Sequence, residues 1–367
     1  MSQESALPPR SARLGGKRKR RARRRWLVWS LLAFCTATAI LAAYYISMIY
    51  HEANQALDDV ALPELPGVTD DRTAVAREDR AQVKPLAIAL LGLDYRKATG
   101  SMNTDVIMVA AMNPRTDTAT VVTIPRDSLL EVPGYANTKA NEKYARFLQN
   151  ARNGKKLQGE AAQLDAMEQM RTFLSAYFGI DIQYTVVIDF QGFIDVVDAV
   201  GGVRVYVDQD MRYTDTVDGT NINLKKGEQV LDGKQALDFV RYRKSNDGTR
   251  ESSDFERNER QARVMKAVVD KLKSLGGIAK LDDIIRAVGG NVQTDIPKAQ
   301  ITNLIRTYYD INPSDIRFVH LEGTWKSPYV YVDPESYRRA KQALEEEMSP
   351  EGRPAEAGGD AVSAAAS

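Results

Sequence analysis

The chain has 367 residues, 43% of them hydrophobic, and its 50 Lys and Arg against 49 Asp and Glu leave a formal charge of +1. That is enough apolar material for one large domain with appendages, and the near-neutral total excludes a globally basic nucleic-acid binder. One cysteine, Cys35, and two histidines, His51 and His320, exclude a disulfide framework and a cysteine-rich metal site, and leave little room for zinc or a His-based triad.

Residues 1–16 carry Ser, Pro and Gly and are expected to be disordered. Residues 17–25 read KRKRRARRR, and the chain then runs without a charge from Trp26 to Tyr50. An apolar run of about 20 residues spans a bilayer, and Trp26, Trp29, Tyr44, Tyr45 and Tyr50 stand near its ends as interfacial aromatics do. The positive-inside rule then puts the basic block in the cytoplasm and everything after His51 outside. A nucleic-acid signal and a cleavable signal peptide are the competing readings. The length of the run, with no clean small-residue cleavage site after it, favours a retained anchor.

The expected layout is a basic cytoplasmic segment (1–25), a transmembrane signal anchor (26–50), a polar stalk (51–84), an extracytoplasmic domain (85–346) and a disordered tail (347–367). No internal repeat is present. Residues 87–91, Ala-Ile-Ala-Leu-Leu, predict a buried central strand ending at Gly92. Residues 106–112 and 119–124 predict two more strands, paired across the turn at 113–117. A helix is predicted over 160–178, closed by Gly179. Strands at 184–190 and 203–207 flank a short helix, with Gly201-Gly202 as a turn. Helices at 234–240 and 260–275, the second stopped by Gly276-Gly277, and a strand at 317–321 complete the pattern. Residues 144–160, with Arg146, Arg152, Lys155 and Lys156, read as a solvated loop. The fold class is therefore α/β, or α+β mixed: a central mixed β-sheet wrapped by helices, preceded by a single N-terminal transmembrane helix.

Asp94 lies just past the first strand, Asp105 begins the second and Arg126 follows the third. If these strands run antiparallel in order, the three side chains emerge at one end of the sheet. Two carboxylates and an arginine there suit a divalent cation holding a phosphate, although each alone reads equally as an ordinary strand-end residue. Arg241-Tyr242-Arg243 places two guanidinium groups on one side of an extended segment. Arg257 and Gln261, four residues apart, share a helix face with Asp254 and Arg260 nearby. A solvated helix face is the usual reason for such a run, but converging arginines also match the forked acceptors of a pyrophosphate. An apolar cavity would need Phe173, Tyr177, Phe190, Phe193, Ile194 and Val197 facing one interior, a spacing that ordinary core shares.

Several segments together carry a resemblance: Gly92-Leu93-Asp94-Tyr95-Arg96, Thr104-Asp105-Val106, Ile124-Pro125-Arg126-Asp127, Lys139-Ala140-Asn141, Asp189-Phe190-Gln191-Gly192-Phe193, Leu231-Asp232-Gly233, Arg241-Tyr242-Arg243, and Asp254 with Arg257, Arg260 and Gln261. In this order they resemble the signature blocks of the LytR-CpsA-Psr family of bacterial cell-wall glycopolymer transferases. The resemblance implies a single-pass protein of the bacterial cell membrane whose extracytoplasmic domain takes a polyprenyl-pyrophosphate-linked glycan, its lipid in an apolar tunnel. It implies Mg²⁺ on Asp94 and Asp105. Arg126, Arg241, Arg243 and Arg257 would be pyrophosphate contacts, with Lys139 and Gln261 beside them, and a peptidoglycan hydroxyl the acceptor of a phosphodiester. Asn103 departs from the pattern, standing where many relatives carry arginine. A polyprenyl-pyrophosphate pyrophosphatase and a non-enzymatic membrane-anchored regulator remain alternatives; no nucleic-acid partner is implied.

Overall fold

The computed structural model describes residues 75–96, 101–216, 219–274 and 291–354; the basic segment and the anchor expected over 26–50 lie outside them. Among the described residues no helix is long and apolar enough to cross a membrane. Strands and helices are numbered here along the chain. Strands β1 (Leu86–Arg96), β2 (Ser101–Asn113) and β3 (Thr118–Ile124) form an antiparallel meander. β4 (Tyr184–Asp189) lies parallel to β1. β9 (Val292–Thr294) pairs antiparallel with β4, and β10 (Ile316–His320) parallel with β3. The result is a mixed six-stranded sheet in the order β10-β3-β2-β1-β4-β9.

Both faces of this sheet are covered, so its central strands read as continuous apolar runs rather than alternating ones. On one face Leu91, Ile107, Val109 and Val122 pack against helices α1 (Lys143–Asn153), α2 (Gly159–Phe178) and α7 (Pro334–Met348). On the other, Met108, Ala110 and Val121 meet Met265 and Val269 of α5 (Asp254–Ser274), while Ile88 meets Ile301 and Leu304 of α6 (Lys298–Tyr308). A second core joins α3 (Phe190–Ala199) and α4 (Gly233–Arg241) with two antiparallel strand pairs. One is β5 (Val203–Val207) with β8 (Gly227–Leu231), the other β6 (Met211–Thr214) with β7 (Asn221–Leu224). A last hairpin, β11 (Gly323–Lys326) and β12 (Tyr329–Val332), precedes α7.

Among the described residues the expected strands and helices are present, with instructive differences. α5 begins at Asp254, six residues before its apolar periodicity, because Ser253 and Glu256 cap it reciprocally: each backbone N–H meets the other's side chain. Phe190 opens α3 instead of ending β4, since Asp189 caps that helix by accepting from the Gly192 N–H. The expected loop at 144–160 is largely helix: α1 buries Tyr144, Leu148 and Ala151 beneath its charged face, while Arg146 pairs with Glu142 and Lys155 with Asp165. Charge on the outer face masked the buried stripe.

Both expected boundaries of the domain also move. Glu347 is fully buried and accepts hydrogen bonds from Thr118 and Thr120, so the tail placed from 347 is folded as far as the described residues run, to 354. At the other end, Ala81 is buried and its N–H donates to Gln300, so the described part of the expected stalk, residues 75–84, is docked on α6 at this point.

Candidate active site

The meander delivers its three side chains to one end of the sheet, and a β-bulge decides how. β1 and β2 pair regularly as far as Gly92–Val106; the next pair is Leu93–Thr104, so Asp105 is the extra residue. A bulge re-phases one strand by one residue. Before it, even-numbered Val106 and Met108 face the cavity side of β2; after it, odd-numbered Asn103 lies opposite Asp94 on that same side. Asp94, Asn103 and Asp105 thereby reach one cavity. A Cβ on Gly92 would lie 2.9 Å from the Cβ of Val106, so glycine permits the close strand approach at the bulge.

Arg126 enters from the end of β3 and donates to Asp105 at 2.8 Å. Its Nε stands 3.5 Å from Asp127, which accepts from Lys139 at 2.9 Å. Burial works to raise the Asp127 carboxyl, but the hydrogen bond from Lys139 and the charges of Arg126, Lys139 and Arg243 outweigh it and hold it low.

The other arginines come from α4 and α5. A reciprocal capping box between Asp232 and Gln235 starts α4, and Gly233 lets it press on α3, where a Cβ would lie 2.3 Å from the Ile194 carbonyl oxygen. The helix ends at Arg241, which stacks 4.4 Å over Phe190. Tyr242 is buried, while Arg241 and Arg243 on either side of it line the cavity. Arg260 holds this alternation in place. It is fully buried, forks onto Asp208 at 2.8 and 2.5 Å, and donates to the Tyr242 carbonyl and to Ser252. Such a bidentate pair belongs to the frame, not to a ligand. Arg257 and Gln261, one turn apart on α5, face the cavity as expected.

Four arginines (Arg126, Arg241, Arg243 and Arg257) thus share the wall of a cavity of about 680 Å³ with Asp94, Asn103 and Asp105. Burial, then repulsion from Arg243 and Arg126, lowers the Arg257 guanidinium to about 10, with Asp105 and Asp127 only partly offsetting it. Burial and Arg126 push Arg243 down likewise. Crowded, half-buried guanidinium groups disfavour their own charge; an anion among them would relieve it. Gln261 Oε1 and Arg126 Nε are buried without a hydrogen-bond partner, as polar atoms around a binding site often are. Lys139 does not line the cavity; it stands behind Arg126, joined through Asp127.

Away from the arginines the cavity is apolar, walled by Leu90, Met108, Ile188, Phe193, Leu237 and Val264 among others. The spacing left cavity and core open; Phe190 and Phe193 line the cavity, whereas Phe173 and Tyr177 of α2 lie in the core on the opposite face of the sheet. Val197 is solid core between α3 and α4. Helical spacing names the buried face of a helix but not the side of the sheet it meets. Lys244 and Asp189 also line the cavity and were missed, although Lys244 directly follows the arginine pair.

An apolar chamber opening onto clustered guanidinium groups and two carboxylates has the chemistry to take an amphiphile with an anionic head. The family model of the LytR_cpsA_psr family matches residues 53–351, and the chain belongs to that family. It is 27% identical over 307 residues to the polyisoprenyl-teichoic acid–peptidoglycan teichoic acid transferase TagU of Oceanobacillus iheyensis, covering 84% of this chain and 88% of that protein. It is 29% identical to the transferase TagV of Bacillus subtilis, over 72% of this chain and 65% of that protein. The crystal structure of B. subtilis TagV superimposes with a TM-score of 0.57 at 27% identity, covering 74% of this chain and 99% of that one. A structure of TagT bound to LIIa-WTA shares the fold, with a TM-score of 0.57 at 23% identity over 75% of this chain and 95% of that one.

Proposed function

We propose that the protein transfers a glycopolymer from a polyprenyl-pyrophosphate carrier to peptidoglycan. The observation that carries this reading is the placing of four arginines where an apolar cavity meets a polar strand end. The names of the relatives, transferases moving polyisoprenyl-linked teichoic acid to peptidoglycan, support it. In this reading each buried lipid methylene contributes about 0.8 kcal/mol, so the prenyl chain supplies affinity, and the arginines orient and neutralise the pyrophosphate through charge-assisted bonds of about 1.5–3 kcal/mol each.

An acceptor hydroxyl oxygen attacks the glycan-side phosphorus. The bond from that phosphorus to the bridging oxygen breaks, and polyprenyl phosphate leaves with the electron pair. The hydroxyl proton passes to solvent or to the leaving phosphate. Such a displacement needs positioning and charge neutralisation more than a covalent nucleophile. Arg126, Arg241, Arg243 and Arg257 supply both, and Gln261 offers a further polar contact.

Asp94 and Asp105 fit a Mg²⁺ site of the kind that uses one or two carboxylates, with substrate phosphates completing the shell. Both line the same wall, and Asp94 is only 7% exposed, a placement that suits a carboxylate held for a cation. When bound, that ion would offset charge on the phosphate oxygens. Arg126, already paired with Asp105, would keep that carboxylate oriented. Residues 26–50 would anchor the chain in the bacterial membrane with the domain outside, where its acceptor is.

The test incubates the full chain in detergent with a lipid-pyrophosphate-linked glycan, peptidoglycan oligosaccharide and Mg²⁺, beside Arg241→Ala. A phosphodiester-linked product, reduced about 100-fold or more in the variant, is the expected result. Free glycan phosphate without coupled product would assign hydrolysis instead. Binding without turnover, unchanged in Arg241→Ala, would leave only a binding protein.

A further inference from the structure

We infer that the β11–β12 hairpin is the platform on which the sugar rings of the acceptor glycan rest, with Trp325 as the stacking surface; this rests on the transferase reading above. Trp325 is the only tryptophan after residue 29, and it is 54% exposed on a strand whose four residues are all exposed. Lys139 holds the indole from one face, its Nζ 5.4 Å from the ring centre, and more than half of the residue stays exposed. The polarised C–H groups of a pyranose face match the negative face of such a ring.

The hairpin's place gives the ring its occupant. β12 is bonded directly to the segment after Arg126: the Val330 N–H donates to the Asp127 carbonyl, and the Leu129 N–H to that of Val330, each at 2.9 Å. The same Lys139 that touches the indole is bonded to Asp127, which stands beside Arg126. Trp325 is therefore tied to the phosphate site by a short, rigid chain of contacts.

It is also on the right side of it. The cavity occupies the face of the sheet formed by Leu90 and Met108. Leu130 and Val332, which flank the hairpin's attachment, pack into the core of the opposite face. A displacement at phosphorus brings the nucleophile in opposite the leaving group. With the lipid phosphate leaving toward the cavity, the incoming hydroxyl arrives from the hairpin side. Tyr329, Tyr331 and Lys326 lie together on the other face of the hairpin, Lys326 Nζ 5.8 Å from the Tyr331 ring, so Trp325 is the ring on its own face.

The experiment measures transfer kinetics and calorimetric binding of soluble uncrosslinked peptidoglycan oligosaccharide to the full chain, with Trp325→Ala and Trp325→Phe. Trp325→Ala should raise the acceptor KM and weaken its binding about tenfold, with kcat and donor affinity within about twofold of the parent. Trp325→Phe should restore most of the loss. The glycan should also change the tryptophan fluorescence of the parent chain but not of Trp325→Phe, in which only Trp26 and Trp29 remain to report. Unchanged acceptor KM and affinity in Trp325→Ala, while transfer proceeds, would overturn this inference and leave the transferase reading intact. A loss of donor affinity instead would assign the ring to the donor glycan and overturn it equally. Should no transfer be found at all, the calorimetric and fluorescence results still decide whether Trp325 binds glycan.

Discussion

At the residue scale, the arginines differ in what they cost the fold. Arg260 is neutralised by Asp208 through two hydrogen bonds; burial would raise that carboxyl, but its pair with Arg260 holds it low. Arg257, lowered to about 10 by burial and by Arg243 and Arg126, is charged at neutral pH against the preference of its surroundings. A base whose folded pKa is depressed weakens the fold at every pH below that value, and the penalty fades as pH rises from about 10 towards the ordinary 12.5. Arg257→Gln should therefore raise Tm at pH 7 by roughly 2–4 °C, the shift of about 1 kcal/mol in a domain of this order, solvent screening keeping the gain small. The gain should shrink above about pH 10, and calorimetric affinity for inorganic pyrophosphate should fall about tenfold or more. A lower Tm with unchanged pyrophosphate affinity would mean that Arg257 is a frame residue like Arg260. The two roles were indistinguishable in the sequence, because Arg257 and Arg260 sit three residues apart in one charged run. What separates them is Asp208, fifty-two positions away from Arg260 in the chain.

At the scale of elements, the site depends on a strand fault. Regular pairing would have turned Asn103 towards α1 and α2; the bulge at Asp105 turns it towards the cavity opposite Asp94. The sequence carried a cue in Gly92, a lone glycine ending an apolar strand run, which signals a bulge or close backbone approach. Gly92→Ala adds a methyl 2.9 Å from Val106 Cβ, with backbone 3.8 Å away, so the strands must part locally. We expect a stability loss of about 1–3 kcal/mol and transfer activity reduced about tenfold or more, because displaced carboxylates lose orientation. Thermal unfolding and single-turnover transfer measure the two separately. Activity at parental level would show that the bulge tolerates movement and does not set the geometry. Asn103 falls in this element and lines the cavity without adding to the repulsion among Arg126, Arg243 and Arg257.

At the scale of the molecule, the cavity lies between the main sheet and the second core: Leu90, Met108 and Val186 wall it from one side, Phe193, Val196 and Leu237 from another, Val264 and Val268 from α5. No single element encloses it, so it can be filled from one position without touching the arginines. Val196→Trp should leave inorganic pyrophosphate affinity within about twofold while weakening farnesyl pyrophosphate about 100-fold, since several methylenes at about 0.8 kcal/mol each lose their place. Calorimetry with the two ligands reads the difference. Equal affinity of the variant and the parent for farnesyl pyrophosphate would mean that the lipid does not occupy this space.

Much of this protein was determined by its sequence alone. The meander and the helix and turn signals are local patterns, since hydrophobic period and caps act within a few residues, while the series Asp94, Asp105, Arg126, Arg241, Arg243, Arg257 and Gln261 was legible through blocks that resemble the LytR-CpsA-Psr signature. Only the tertiary structure decided which aromatics line a cavity and which fill a core, because helical spacing is the same for both and the choice lies with the face of the sheet each helix covers. It also decided that Arg260 is buried frame, that Lys139 stands behind the site, and that Trp325 lies beside it. Those assignments depend on partners distant in the chain, and burial and pairing become visible only when the elements have packed.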